Sequence, residues 1–116
     1  MIKKRLIILG MVSLGYFSCV NNVVESLEED CLEVETFYVE AIAPIMSQYC
    51  VGCHSGVAPS GGLMLDSFNS VYGSMALNLE RVNREQGSLG FMPSGGNKLS
   101  DEEIASLQSF LEMDCE

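Results

Sequence analysis

The stretch Cys50-Val51-Gly52-Cys53-His54 brings together the residue types with the most chemistry in this chain. Two thiols separated by two residues suit a dithiol–disulfide couple, half of a zinc site, or thioether bonds to the vinyl groups of a porphyrin. The histidine directly after the second thiol favours the last, because C-x-x-C-H is the spacing of c-type haem attachment, with the imidazole reaching the iron. A thioredoxin-like couple needs βαβ patterning around it, and no Val/Ile-dense alternation flanks this motif. A structural zinc site needs four ligands. Here there is one histidine, and Cys31 and Cys115 lie far away without a second paired spacing. One covalent haem c is therefore the expected cofactor.

Iron in such a site has a second axial position. His54 is the single histidine, so a methionine thioether is the natural partner. Of seven methionines, Met1 and Met11 belong to the leader described below, Met46 lies too close to the motif to cross to the other face, and Met113 ends the last helix. Met64, Met75 and Met92 remain. Met92 is favoured because it sits in a loop between helices, after Phe91 and before Pro93; Met64 stands next, and Met75 at helical spacing reads as core filling.

The elements that must position these residues follow a leader. Lys3, Lys4 and Arg5 precede an apolar run of twelve residues, Leu6 to Phe17, too short to span a bilayer, and small Ser18 precedes Cys19. Residues 1–18 are expected to be a signal peptide, with Cys19 acylated as in a bacterial lipoprotein. Cleavage after Gly15, leaving Cys19 a plain thiol, is the alternative. Export agrees with haem c, which is attached outside the cytoplasm. It also makes sense of five cysteines: two for haem, Cys31 and Cys115 as a candidate disulfide, and Cys19 for lipid. Residues 19–30, polar and acidic, read as a tether, and 31–116 as one domain.

Within that domain, Val34, Phe37, Tyr38 and Ala41 fall on one helical face, but Pro44 interrupts the pattern. The favoured reading is a short helix from Ala43 through Tyr49, with 34–42 wholly or partly extended. Residues 55–62 are a loop. Asp66 is expected to cap a short helix over Ser67 to Tyr72 that Gly73 ends, and Ser74 a second to about Glu85, with Met75, Leu79 and Val82 buried. Ser100 with Glu103 forms a capping box for a helix over 101–113, whose stripe is Ile104, Leu107, Phe110 and Leu111.

Sixteen acids against six bases, three of which leave with the leader, exclude nucleic-acid binding through phosphates. The acidity suits basic docking surfaces on partner proteins, or serves solubility alone.

The attachment motif, Met92-Pro93 with Ser94-Gly95-Gly96, and Leu99-Ser100-Asp101-Glu102-Glu103-Ile104 opening an amphipathic helix together resemble the small bacterial class I c-type cytochromes, over roughly residues 38–112. Gly61-Gly62-Leu63-Met64-Leu65 looks like the family loop whose leucine lines the haem pocket. The resemblance implies an all-α, class I cytochrome c-like fold of several short helices around one haem, with the N- and C-terminal helices packed together and Phe110 at their crossing. It implies Cys50, Cys53, His54 and Met92 as haem-binding residues, and a loop carbonyl, from Pro59 or a neighbour, on the proximal histidine ring. It would bring Cys31 and Cys115 to one end, and it makes Arg81, Arg84 and Lys98 candidates for the haem propionates. The function expected is single-electron transfer to redox partners in the cell envelope, at a membrane through the N-terminal lipid, without substrate turnover. The alternatives are a haem-based ligand sensor or peroxidase-like enzyme in which methionine is displaced, and a non-haem zinc or thiol-exchange domain.

Overall fold

Helix α1 runs over residues 31–49 in three continuous segments: α-helical over 31–37, π-helical over Tyr38–Ile42 and α-helical over Ala43–Tyr49. The computed structural model describes residues 31–115. The expected signal peptide, the candidate lipidation site Cys19 and the expected 19–30 tether fall outside the described residues.

The continuity of α1 corrects the expectation of extended chain over 34–42, and Pro44 explains it. Proline has no N–H to donate, and its ring collides with the carbonyl one turn back in an unbroken α-helix. Here the Ala43 N–H reaches back five residues to the Tyr38 carbonyl. That one-residue widening lets Pro44 fall in the first turn of Ala43–Tyr49, where its missing donor costs nothing. The face read from Val34, Phe37, Tyr38 and Ala41 does turn to the core, and it continues through the buried Ile42, Ile45 and Met46.

Helix α2, Phe68–Asn83, is also one helix where two were expected. Its cap is Ser67 rather than Asp66: the Ser67 hydroxyl accepts from the Ser70 N–H at 3.4 Å, and the Ser70 hydroxyl accepts from the Ser67 N–H at 3.3 Å. Gly73 lies inside it. A helix-interior glycine costs about 1 kcal/mol relative to alanine. Val71, Met75, Leu79 and Val82 are all buried, and each contributes roughly 1.5–3 kcal/mol, so burial outweighs the local preference.

Helix α3, Asp101–Leu111, begins with the expected capping box: the Glu103 N–H donates to Ser100 Oγ at 3.2 Å, and the Ser100 N–H donates to Glu103 Oε2 at 2.8 Å. Leu107 and Phe110 are buried, whereas Leu111, expected inward, is 37% exposed. The helix packs on both α2 and the π segment of α1. Phe110 is the centre of this junction, with ring centroids 6.4 Å from Phe37, 5.9 Å from Tyr38, 6.2 Å from Phe68 and 5.6 Å from Tyr72. The described residues are thus helical without strands.

The capping box gives a testable pH dependence. The Ser100 N–H, bonded to the Glu103 carboxylate, holds that carboxyl below its ordinary value. A depressed folded-state value means that the stabilisation is complete above the ordinary glutamate value of about 4.3 and is lost as pH falls through the folded value. Ser100→Ala should cost about 1 kcal/mol by denaturant unfolding at neutral pH. For Glu103→Gln, the deficit against the unmutated protein should shrink on acidification below about pH 4; a constant deficit would contradict the assignment.

Candidate functional site

Cys50 stands where α1 ends, and the motif wraps into a tight turn around its own carbonyl. Cys50 O accepts from the Cys53 N–H at 3.1 Å and from the His54 N–H at 3.0 Å, while the Cys50 and Val51 N–H groups donate back to Met46 O at 2.8 and 2.9 Å. The loop that follows closes on the motif at both ends: the Ser60 N–H donates to Cys53 O at 2.9 Å, and the Leu65 N–H to His54 O at 2.7 Å. Gly61 and Gly62 have φ of 63° and 72°, left-handed values that a side chain would strain.

The His54 ring is fixed by the same loop. Its Nδ1 lies 3.2 Å from Leu63 O. A carbonyl only accepts, so this contact puts a proton on Nδ1, and in the neutral ring that arrangement is the tautomer of an imidazole ligating through Nε2. The carbonyl expected from Pro59 or a neighbour therefore comes from Leu63, four residues beyond that proline.

The two thiols differ. Cys53 is exposed and Cys50 half-buried, and burial pushes the Cys50 thiol up to about 11. Cys50 also follows the C-terminal end of a helix, whose partial negative charge opposes a thiolate. Redox-active C-x-x-C pairs require the reverse, a thiol depressed at a helix N-terminus. Among the described residues, no group of three or more His, Cys, Asp and Glu side chains is arranged to hold a metal ion.

The methionines separate by burial. Met46 and Met75 are 2% and 1% exposed, as core packing requires. Met64 is 43% exposed and Met92 partly buried. Met92 follows buried Phe91, and its N–H donates to Arg81 O at 3.3 Å, so the loop is fastened to the end of α2. Arg81, Arg84 and Lys98 contact backbone carbonyls of Gly90, Leu89 and Asn83.

Cys31 and Cys115 are free thiols near enough to interact. The Cys115 thiol is pushed up to about 11, first by its hydrogen bond with Cys31 and then by partial burial. Tyr72 secures the C-terminal tail: its hydroxyl donates to Met113 O at 3.0 Å and accepts from the Cys115 N–H at 3.3 Å. In protein recovered from an oxidising compartment, Cys31 and Cys115 should resist alkylation until a reductant is added. Replacing both by serine should cost about 4 kcal/mol, the closure entropy of a loop of this length. Alkylation without reductant would show that the pair stays reduced.

No helix among the described residues is long and apolar enough to cross a membrane. No protein-family model matches the chain, and no curated protein or solved structure matches it. The Leu63 carbonyl was not legible in the sequence, and the contacts of Arg81 and Arg84 with the loop before Met92 were not either.

Proposed function

We propose that this chain is a lipid-anchored, monohaem c-type cytochrome that passes single electrons between partner proteins of the bacterial cell envelope. The observation that carries the reading is the His54 ring, held through Nδ1 by Leu63 O with Nε2 left free, one residue after an exposed thiol. The donor set fits a haem c: two thiols for covalent attachment, one imidazole in the ligating tautomer, and one thioether in a separately anchored loop. Large apolar side chains left exposed in the chain between His54 and Met92, namely Val57, Met64, Leu77 and Leu89, fit a bulky apolar group.

In this reading Cys50 and Cys53 would hold the group covalently, and His54 and Met92 would ligate its iron. Single-electron exchange between ferrous and ferric iron is the chemistry that a bound haem supplies. The chain's own part is to keep both ligands fixed so that little reorganises when charge changes. Leu63 O orients the imidazole, and the backbone tie between Met92 and Arg81 holds the Met92 loop. The excess of acids over bases favours brief docking on basic partner surfaces. Cys19 carries the lipid. A potentiometric titration of the protein matured with the haem c attachment machinery tests this: a single one-electron wave is expected, and rapid binding of carbon monoxide or azide by the unmutated protein would favour a ligand sensor instead.

A further inference from the structure

Arg81, Arg84 and Lys98 are the only basic residues between 31 and 115. Arg81 and Arg84 are directed from α2 at the loop joining it to α3, and Lys98 reaches from that loop back to the end of α2. Arg81 Nη1 lies 3.5 Å from Gly90 O, Arg84 Nη1 donates to Leu89 O at 2.6 Å, and Lys98, at the far end of the loop, reaches Asn83 O at 3.5 Å. One carboxylate holds both guanidinium groups: Glu80 Oε2 is 3.2 Å from Arg81 Nε, and Glu80 Oε1 is 2.7 Å from Arg84 Nη2.

Gly90 lies against the two arginines. Its φ is 77°, and a Cβ there would run into Nη1 of both Arg81 and Arg84. Conformation and space both demand glycine. Two residues later the Met92 N–H is bonded to Arg81 O, one of the last helical carbonyls of α2 and so without a partner inside the helix.

From this geometry we infer that Glu80, Arg81 and Arg84 form a clamp that closes on the Leu89–Gly90 backbone and thereby sets the position of Met92; the consequence for iron rests on the reading above. The three are positioning residues. A charged donor bonded to a carbonyl is stronger than a neutral one, and the forked guanidinium bridges carboxylate and carbonyl at once, which a lysine ammonium does not reproduce. With haem bound, the clamp would favour the Met92 thioether over competing ligands.

The test compares the full-length matured protein with the Arg81→Ala/Arg84→Ala double variant and with Arg81→Lys/Arg84→Lys. In the alanine variant the Met92 amide hydrogen should exchange about tenfold faster or more, as loss of a hydrogen bond to a charged group implies, while the Leu107 and Phe110 amides in α3 keep their protection. The sulfur-to-ferric-iron absorption band should weaken and imidazole should bind about tenfold more tightly; the lysine variant should recover part of both. Unchanged Met92 exchange would overturn the clamp. Faster exchange with an unaltered sulfur–iron band would overturn its role in ligation. Faster exchange in protein carrying no haem spectrum would uphold the clamp and sink the cytochrome reading, so the two fail separately. Gly90→Ala guards against misfolding in the double variant: it should reproduce the exchange phenotype with both arginines present, and normal exchange would count against the clamp.

Discussion

Replacing Met92 by alanine should lower the midpoint potential of the matured protein by about 0.1–0.3 V, a modest part of the roughly 0.8 V that axial ligation spans in haem proteins. A soft thioether stabilises ferrous iron, and its loss leaves water or nothing in that position. The ferrous form should then take up carbon monoxide and the ferric form azide, while covalent attachment through Cys50 and Cys53 persists. The alternative ligand is distinguishable. Met64 is 43% exposed, and Met64→Ala should leave the potential within a few tens of millivolts. If the Met92 variant is unchanged and the Met64 variant shifts, the ligand assignment moves to the histidine-side loop.

The second large effect is on stability. Phe110 is 0% exposed and touches rings from α1 and α2 while belonging to α3. Phe110→Ala should cost about 3–5 kcal/mol in denaturant unfolding, from lost transfer energy and the cavity left behind. In a domain this small, that corresponds to a fall in Tm of about 12–40 °C. Leu111→Ala, one residue on and partly exposed, should cost under about 1 kcal/mol. Similar losses for the two would mean that α3 does not seat Phe110 at the junction.

What could be read in advance depended on where the information lies. The capping box of α3 and the buried stripe of Met75, Leu79 and Val82 are local patterns, and they stand in the structure. Pro44 and Gly73 misled because their local preferences are real but small against tertiary burial, and because a π segment lets a helix absorb a proline. The partner of the His54 ring is a backbone carbonyl, which every residue has and no side chain advertises. The roles of Arg81 and Arg84 were hidden for the opposite reason: charged side chains near a helix end look the same whether they meet solvent, a propionate or a loop.

Conversion to the pyridine haemochrome tests the central claim most directly, on protein matured in the presence of the haem c attachment machinery and extracted with acidified organic solvent beforehand. The account predicts a c-type haemochrome that stays with the polypeptide, at one haem per chain, and is lost from the covalent fraction when Cys50 and Cys53 are both replaced by serine. A polypeptide without covalent haem after maturation would contradict it, and would return Cys50-Val51-Gly52-Cys53-His54 to thiol or zinc chemistry.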